Sequence, residues 1–289
     1  MVDQQPTGAA KPVVNPLSNY FRQPKIFIRL PSNGEFYPQG SLDVSANGDY
    51  AVYAMTAKDE LLFKTPDALL NGQATVEVIR SCIPAIKDPW KMPSIDVDAC
   101  LVAIRVATYG QKMDVTATCP SCGHSNEYEF DLIGYLEQMN NFKFEADISV
   151  DPLIIHIRPY NYQEATKTSI KAIEQQKIFE IVNDPNMSDE EKVERFGTSF
   201  VKLTELTVDV VCGCISGIET PEGLVQDPAM IAEFINNASS EVFNKVNDHV
   251  QKMKNEIESK TQSVACDECK HEYNISLTMD QSNFFAVRS

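Results

Sequence analysis

The sequence predicts an α+β fold in which a split pair of cysteine motifs joins two distant parts of the chain. Each motif is a Cys-x-x-Cys, the first at residues 119–122 and the second at residues 266–269. Each motif precedes a run in which apolar and polar residues alternate, as they do along a half-buried β-strand. The stretch between the motifs has mainly the apolar spacing of helices. We therefore predict a split zinc-ribbon-like module, residues 116–135 and 261–280, around a mostly helical domain at residues 150–260.

The four motif cysteines are the candidate metal ligands. A Cys-x-x-Cys turn lets two thiolates reach one ion, and two such turns complete the tetrahedron of sulfur that is typical of structural zinc. The predicted zinc ligands are Cys119, Cys122, Cys266 and Cys269. His124 and His271 each follow a motif by two residues, so either histidine is an alternative to one cysteine ligand. A redox pair formed by Cys119 and Cys122 is the competing interpretation, because a single Cys-x-x-Cys is also typical of thioredoxin-like proteins.

Composition and charge limit the classes of partner. The chain has 289 residues, of which 43% are hydrophobic, and its formal net charge is −16 with a pI near 4.7. Such an acidic chain disfavours nucleic acid or an anionic membrane as the main partner. No stretch has the length of a transmembrane helix, and the first residues lack the pattern of a signal peptide. We therefore expect a cytoplasmic protein whose eight cysteines are thiols or metal ligands rather than disulfides.

Both ends of the chain contain candidate partner-binding residues. Residues 1–24 contain four prolines among small and polar residues, a composition that does not form a core of its own. This segment is predicted to be either a disordered tail or an extended arm that lies on a neighbouring subunit. Residues 281–289 form a short C-terminal tail with two adjacent aromatic residues. The predicted partner-binding residues are Tyr20, Phe21, Phe284 and Phe285.

Residues 25–115 are predicted to form an N-terminal α/β region that begins with strands. Lys25–Leu30 has the pattern of a short strand. Asn47-Gly48 is typical of a type I′ turn, because both residues tolerate positive φ angles. We therefore predict a β-hairpin in which Leu42–Ala46 pairs with Asp49–Met55.

Short helices are predicted to follow in the same region. They are a helix that begins at Thr56, Pro66–Leu70, Ala74–Cys82 and Ile95–Tyr109. Thr56 and Ser94 each have a hydroxyl that is suited to cap a helix N-terminus, and Gly110 is suited to end the last helix. Lys112–Thr118 then alternates as a strand and leads into the first cysteine motif.

The segment between the motifs is predicted to be mostly helical. The predicted helices are a short one that ends near Met139, Tyr162–Val182, Ser188–Cys214, Ala229–Asn237 and Ser240–Lys260. Ser188 and Glu191 have the spacing of a capping box. The last helix has an apolar seam spaced by three and four residues, which is predicted to pack inside the subunit. Leu153–Arg158 is predicted to be a strand.

The sequence offers no candidate active site. It contains no glycine-rich phosphate loop, nucleophile elbow or histidine metalloprotease motif, and a zinc ion held by four thiolates has no open position for catalysis. Cys82 and Cys100 have apolar helical surroundings and are predicted to be core residues. His156 is predicted to be a surface or hydrogen-bonded residue of a strand. We therefore expect a protein that is not an enzyme.

Three stretches resemble one protein family. They are Phe27–Pro38, which reads FIRLPSNGEFYP; Met55–Gly72, which contains MTAKDEL and KTPDALLNG; and Ala103–Gly110, which reads AIRVATYG and leads to the first cysteine motif. Together they resemble the baseplate hub subunit family of contractile-tailed, T-even-type bacteriophages. The resemblance covers about residues 20–140 well and the helical half of the chain only loosely.

The resemblance implies a structural or assembly subunit of the phage tail baseplate, near the central hub, without enzymatic activity. It implies other baseplate and hub subunits as partners, with a location in the host cytoplasm during assembly and in the virion tail baseplate afterwards. Three alternatives stay open. They are a zinc-ribbon nucleic-acid-binding or regulatory protein, an enzyme such as a hydrolase or thiol oxidoreductase, and a transient baseplate assembly chaperone.

Overall fold

The computed structural model describes residues 15–65, 68–69, 71–182, 188–258, 261–277 and 284–285. Within these residues the helices are α1 Ala57–Phe63, α2 Gln73–Cys82, α3 Ser94–Tyr109, α4 Leu132–Asn140, α5 Tyr162–Val182, α6 Asp189–Cys214, α7 Pro228–Asn237 and α8 Ser240–Glu258. The strands are β1 Pro24–Ile28, β2 Tyr50–Tyr53, β3 Lys112–Thr118, β4 Ser125–Asp131, β5 Asp147–Val150, β6 Leu153–Ile157, β7 Ile215–Thr220, β8 Gly223–Val225, β9 Thr261–Ala265 and β10 Glu272–Ser276. Pro16–Tyr20 and Pro89–Lys91 form short 3-10 helices.

The strands form four antiparallel sheets. Strands β1 and β2, β3 and β4, and β9 and β10 are separate pairs, while β5, β6, β7 and β8 form one sheet in that order. The mixed α and β composition confirms the predicted fold class. The mostly helical insertion lies between the two cysteine motifs, as predicted.

Helix α3 is the centre of the N-terminal core. It is apolar on nearly every face, which is typical of a helix that other elements surround. Leu101, Val102 and Ile104 are fully buried, and the helix contacts β1, β2, α2 and α4. Cys82 and Cys100 are also fully buried in this core, which confirms their prediction as core residues.

Asp96, in the first turn of α3, is a buried carboxylate that holds the preceding loop. It accepts hydrogen bonds from the backbone N–H of Ser32 at 2.8 Å, from the Ser32 hydroxyl at 2.5 Å and from the Tyr37 hydroxyl at 3.0 Å. Burial raises the pKa of Asp96 to about 6, although the hydrogen bonds from Ser32 and Tyr37 oppose this shift. Asp96 therefore ties residues 32–37 to the central helix.

Three helix ends test the predicted caps. Thr56 and Asp59 form a complete capping box at α1, and Gly110 ends α3 with a φ of 101°, as predicted. The prediction that Ser94 caps α3 is wrong. Pro93 occupies the cap position, and the Ser94 backbone N–H donates to the Tyr160 carbonyl at 2.6 Å, because the chain around Tyr160 packs against this end of the helix. Part of the predicted helix at 66–70 lies outside the described residues.

The predicted N-terminal hairpin has different strands from those expected. Strand β2 pairs with β1, so Asn47-Gly48 is a turn within the long connection between them. Leu42 instead forms a bridge with Ile86, and the Asp43 backbone N–H donates to the Ala85 carbonyl at 2.8 Å. Because the backbone of residues 42–43 pairs with residues 85–86, residues 42–46 do not pair with residues 49–55 in a tight hairpin.

The insertion contains the predicted helices together with a sheet that was not predicted in full. Helices α5, α6, α7 and α8 match the expected segments closely, and Ser188 and Glu191 form a capping box. Strand β6 was predicted, but β5, β7 and β8 were not. Each of the missed strands has only three to six residues, so the alternation that identifies a strand is too short to detect.

The insertion has a core of its own between its sheet and its helices. Ile155 of β6, Val211 of α6 and Ile218 of β7 are buried together with Val246 of α8. Val246 and Met253 belong to the predicted apolar seam, and both are buried, so the described part of the seam packs inside the chain as predicted. The predicted last two residues of that helix, 259–260, lie outside the described part of the chain. None of the described helices combines the length and the apolar character that crossing a membrane requires.

The buried carboxylate of Asp96 predicts a pH-dependent stability. Its folded pKa of about 6 lies above its ordinary value of 3.8, so folding favours the protonated form. The stability that Asp96 contributes is therefore fully present below about pH 4 and is lost as the pH rises through about 6. Chemical denaturation at several pH values, on the native chain and on Asp96→Asn, measures this contribution, because asparagine does not titrate.

We expect the stability advantage of the native chain over Asp96→Asn to shrink between pH 4 and pH 6. The free energy of unfolding of Asp96→Asn is expected to be lower than that of the native chain by about 1–3 kcal/mol, because the asparagine amide cannot accept hydrogen bonds from all three donors at once. A difference that stays constant or grows across this pH range would contradict the account. Asp98→Asn is the matched control on the same helix turn.

Candidate metal centre

Two β-hairpins carry the two cysteine motifs at their tips. Strands β3 and β4 pair without a register shift from Lys112 opposite Asp131 to Thr118 opposite Ser125, so the first motif is the turn between them. Strands β9 and β10 pair in the same way from Ser276 opposite Thr261 to Glu272 opposite Ala265. The alternating sequences on either side of each motif explain the strands, and each hairpin presents its cysteines at one end.

The two turns have the same backbone geometry. In the first, the Cys119 N–H donates to the His124 carbonyl at 2.8 Å, and the Gly123 N–H donates to the Cys119 carbonyl at 2.9 Å. In the second, the equivalent bonds join Cys266 to His271 at 2.9 Å and Lys270 to Cys266 at 3.0 Å. Gly123 and Lys270 both have a left-handed backbone, with φ angles of 75° and 58°. The sequence similarity of the motifs therefore reflects one shared turn.

The four sulfur atoms of these turns lie together. The Sγ atoms of Cys119 and Cys269 are 3.7 Å apart, those of Cys122 and Cys266 are also 3.7 Å apart, and all four atoms lie within 4.8 Å of one another. A zinc ion with four Zn–S bonds of about 2.3 Å requires tetrahedron edges of about 3.8 Å. The sulfur atoms are too far apart for disulfides, whose S–S bond is about 2.05 Å. The donor set and its spacing fit zinc.

Each half of the cluster contributes one buried and one exposed cysteine. Cys119 and Cys266, the first cysteines of their motifs, are almost fully buried, while Cys122 and Cys269 are exposed. Both close sulfur pairs join the two motifs, at sequence separations of 150 and 144 positions. The cluster is therefore a contact between the two hairpins, with one side open to solvent.

Asn126 connects the two hairpins beside the cluster. Its amide nitrogen donates to the His124 carbonyl at 3.1 Å and lies 3.6 Å from the sulfur of Cys266. Its amide oxygen accepts from the Asp267 backbone N–H at 3.0 Å. Asn126 is only 2% exposed, so these partners satisfy an otherwise costly buried amide. No motif of the sequence indicated a role for Asn126, although its inward position in the alternation of β4 is a signal that could have identified it.

Two tyrosines extend the contact away from the sulfur atoms. The Tyr128 hydroxyl donates to the Ala265 carbonyl at 3.1 Å and lies 3.2 Å from the Tyr273 hydroxyl. Their rings pack edge to face at a centroid distance of 6.1 Å. The two hairpins are therefore joined by side chains as well as by the cysteine tips.

The backbone of the second turn favours a thiolate at Cys266. The hydrogen bond from the Cys269 backbone N–H is the largest influence, and with that of Glu268 it lowers the pKa of Cys266 to about 6. The pKa of Cys122 rises to about 12, because the other three sulfurs and burial outweigh the opposing hydrogen bond with the His124 backbone. Cys266 therefore gives up its proton more readily than Cys122, and a cation that binds all four sulfurs must displace the proton of Cys122.

The two histidines contribute backbone atoms to the site. Their carbonyls accept the hydrogen bonds that close each turn, but neither ring belongs to the group of ligating atoms, which consists of the four cysteines. The ring of His271 instead stacks on Tyr273 at 6.3 Å. The geometry favours the four-cysteine set over the alternatives with His124 or His271.

The predicted partner-binding residues at the N-terminal end are exposed. Tyr20 and Phe21 have exposed fractions of 84% and 60%. The next residue, Arg22, is anchored: its guanidinium donates to the Ser81 hydroxyl at 2.8 Å and to the Ala54 carbonyl, and it lies 3.5 Å from the Asp59 carboxylate. Arg22 therefore fixes the chain immediately after two exposed aromatic rings. Residues 1–14 of the predicted arm lie outside the described residues.

The predicted role of the C-terminal aromatic residues does not agree with their burial. Phe284 and Phe285 are only 1% and 7% exposed and belong to the N-terminal core. Phe285 stacks on Phe63 at a centroid distance of 4.3 Å, and the Arg105 guanidinium donates to the Phe284 carbonyl and lies over its ring. A cleft between α1 and α3 receives these two rings, so they stabilise the fold and are not available to a partner.

Other titratable groups form no second metal centre within the described residues. The four-cysteine cluster is the only group of three or more candidate ligands found there. His156 of β6 lies 2.8 Å from Asp147 and 3.9 Å from Glu219, which confirms its prediction as a hydrogen-bonded strand residue. Cys214 is buried in the core of the insertion.

Comparison with known proteins identifies the family. A family model described as T4 bacteriophage base plate protein matches residues 25–286. The chain belongs to this family. The match extends well beyond residues 20–140, where the sequence resemblance was seen, and includes both cysteine hairpins and the whole insertion. No curated protein and no solved structure matches the chain.

Membership of the baseplate family gives the general role of the chain. It is a T4-type phage baseplate protein, so it assembles with other components of the tail and is located there. A structural family of this kind implies a protein that is not an enzyme.

The left-handed turn positions predict opposite effects of two substitutions. Lys270 is exposed and has a φ of 58°, whereas Gly123 occupies the equivalent position of the first turn. An L-residue with a side chain is disfavoured in this conformation by about 1–2 kcal/mol. We expect Lys270→Gly to stabilise the chain by about 1 kcal/mol and Gly123→Ala to destabilise it by a similar amount.

Thermal and chemical denaturation of the two variants measure these effects. Lys64→Gly, which places a glycine at an exposed lysine with a right-handed backbone, is the matched control and is expected to be slightly destabilising. Effects of the same sign in the two turns would contradict their equivalence.

Proposed function

We propose that this baseplate protein is a structural subunit near the central hub of a contractile tail, and that zinc bound by four cysteines holds its two halves together. The family match supports the baseplate role, and the motifs at residues 27–38, 55–72 and 103–110 support the hub position. The convergence of four sulfur atoms from two identical turns is the observation that carries the zinc assignment. The ligands are Cys119, Cys122, Cys266 and Cys269.

The proposed role of the metal is to close the insertion as a loop. Hairpin β3–β4 lies between α3 and α4 of the N-terminal core, whereas hairpin β9–β10 follows α8 of the insertion. Zinc supplies a cross-link between these hairpins that is not redox-active, and a cross-link between such distant positions restricts the unfolded chain strongly. Asn126 orients the second turn through its bond to the Asp267 N–H. The insertion then leaves and rejoins the core at one fixed place.

The N-terminal arm is the proposed contact to neighbouring baseplate and hub subunits. Two adjacent aromatic rings, Tyr20 and Phe21, are exposed immediately before the anchored Arg22. Aromatic side chains are the residues that most often dominate binding energy at protein interfaces. The proposed subunit is made in the host cytoplasm and becomes part of the virion tail.

Elemental analysis tests the zinc site. We expect about one zinc ion per purified chain and loss of that zinc in Cys119→Ser, because removal of one thiolate opens the tetrahedron. Cys269→Ser is a second variant, because substitution of this exposed cysteine is expected to destabilise the fold less than substitution of the buried Cys119. Cys212→Ser, at a half-buried cysteine of α6, is the control and is expected to keep its zinc.

The zinc assignment would be overturned by native chain without stoichiometric metal, or by full zinc content in both ligand variants. Thermal denaturation with and without a chelator accompanies the measurement. The chelator is expected to lower the melting temperature of the native chain and of Cys212→Ser alike, because binding at such a site contributes to the free energy of folding.

Substitution of the arm aromatics tests the partner contact. We expect Tyr20→Ser with Phe21→Ser to weaken co-purification with the other baseplate proteins by about tenfold or more, since buried aromatic anchors contribute most of the energy of many interfaces. Leu61→Ser is the control, because Leu61 is similarly exposed, at 63%, on α1. Equal recovery of partners with both variants would remove the proposed role of the arm.

A further inference from the structure

A stripe of exposed apolar side chains runs along the N-terminal half of α6. We call Val193, Phe196, Phe200 and Val201 the α6 stripe. Their exposed fractions are 73%, 45%, 62% and 55%. Residues three or four positions apart lie on the same face of a helix, so Val193, Phe196 and Phe200 form one row and Val201 lies beside it. This stripe is a concentration of large exposed apolar side chains on a single helix face.

The stripe continues a face that is buried farther along the same helix. Val211 lies about three turns beyond Phe200, and Val208 about two turns beyond Val201, so both are on the same side of α6 as the stripe. Val211 is fully buried in the core of the insertion, and Val208 packs against that core, together with Ile231 of α7 and Val246 of α8. The same apolar face is therefore covered at the C-terminal half of α6 and exposed at its N-terminal half.

A glycine leaves room for close approach at the centre of the stripe. Gly197 lies one turn after Val193 and about one turn before Phe200 and Val201. A methyl group at Gly197 would meet no other atom within 4 Å, so the surface there is open. Glycine in a helix interior destabilises the helix by about 1 kcal/mol relative to alanine. A second backbone that approaches Gly197 would fit between the neighbouring apolar side chains.

The side of the stripe next to Val201 is acidic. Glu194 lies about two turns before Val201 and Glu205 about one turn after it, so both carboxylates border the stripe on this side. Glu190 lies one turn before Glu194, and all three glutamates are exposed. Arg195 and Lys202 project from a different face by the same helical spacing, and Lys192 lies one turn before Phe196, on the opposite side of the stripe. The border next to Val201 is therefore of one charge sign.

We propose that the α6 stripe binds an amphipathic helix of another tail component, with an apolar face bordered by lysine or arginine. This inference rests on the proposed assembly of the chain with other tail proteins. A helix fits the occupant because the stripe runs along one face of α6 and contains Gly197, where a second backbone can approach closely. Basic borders on that helix would pair with Glu190, Glu194 and Glu205.

A second copy of this chain is a poorer occupant. In an antiparallel pair of α6 helices, the acidic border of one helix would face the acidic border of the other. The three glutamates of each helix would then lie opposite the same three glutamates of its partner. Like charges that face each other across an interface cost several kcal/mol. The net charge of −16 on each chain adds to this repulsion.

Two synthetic helical peptides of about 20 residues test the charge and apolar requirements of the surface. Both contain the same leucine face, bordered by lysine in one peptide and by glutamate in the other, and binding is measured by calorimetry at two salt concentrations. We expect the lysine peptide to bind the native chain and the glutamate peptide to bind at least about tenfold more weakly. Val193→Ser with Phe200→Ser should weaken the lysine peptide by about tenfold or more, whereas the exposed control Val44→Ser should not.

Charge reversal supplies an independent variant. Glu190→Lys, Glu194→Lys and Glu205→Lys together are expected to exchange the preference, so that the glutamate peptide binds more tightly than the lysine peptide. The proposal would be overturned if the lysine peptide failed to bind the native chain, or bound the stripe variant as tightly as the native chain. It would also be overturned if the native chain sedimented as a dimer that the stripe variant loses.

A photo-reactive amino acid at position 200, in phage tails assembled with this chain, identifies the natural occupant. We expect cross-links to a segment of another tail protein in which lysine or arginine borders an apolar helical face. Cross-links to this chain itself, or none from position 200 in tails that contain the chain, would overturn the proposal while leaving the baseplate function intact. Absence of the chain from assembled tails would instead overturn the proposed function.

Discussion

The contact between the two cysteine hairpins closes most of the second half of the chain into a loop. Four sulfur atoms, the amide of Asn126 and the hydroxyls of Tyr128 and Tyr273 meet where the hairpins touch. In the sequence, helices α3 and α4 of the N-terminal core flank the first hairpin, and the insertion precedes the second hairpin. Any movement of the second hairpin would therefore disturb both the core and the base of the insertion.

The return of the chain to the N-terminal core supports the same arrangement. After the second hairpin, Phe284 and Phe285 enter the core beside α1 and α3, where Arg105 holds the Phe284 carbonyl. Two separate contacts thus join the C-terminal segment to the N-terminal part of the fold. One is the polar, sulfur-rich contact between the hairpins, and the other is the aromatic contact with α1 and α3. The insertion has a separate buried core around Ile155 and Val211, and the N-terminal half of α6 carries exposed apolar residues. In this arrangement the core is the proposed fixed base, and the insertion and the arm are the proposed surfaces for partners.

The parts of the fold that could be predicted are those set by short-range chemistry. The spacing of two cysteines in a tight turn and the alternation of the following strand determine each hairpin locally, so the pairing of residues 119–122 with 266–269 could be inferred from their similarity. The helix cap at Thr56 and the capping box at Ser188 are equally local, and both were found where they were expected. Long helices with a consistent apolar face, such as α8, were also predictable.

The parts that were missed depend on distant contacts. Leu42 forms a bridge with Ile86, and β2 pairs with β1 instead of with residues 42–46. No pattern within residues 42–55 predicts this distant contact. Phe284 and Phe285 resemble an exposed aromatic tail in sequence, but a cleft formed by α1 and α3 buries them. The alternation of β4 turns Asn126 inward, but only the approach of the second turn gives its amide a role. The short strands of the insertion sheet gain their stability from one another and carry little signal of their own.

X-ray absorption spectroscopy at the zinc edge of the purified native chain identifies the atoms bound to the metal. We expect a first shell of four sulfur atoms at about 2.3 Å without nitrogen or oxygen, because all four ligands are thiolates contributed by both hairpins. A shell that contains imidazole nitrogen or water oxygen would contradict the four-cysteine site. A chain that is fully folded without any bound zinc would contradict the proposal that the metal holds the two halves together.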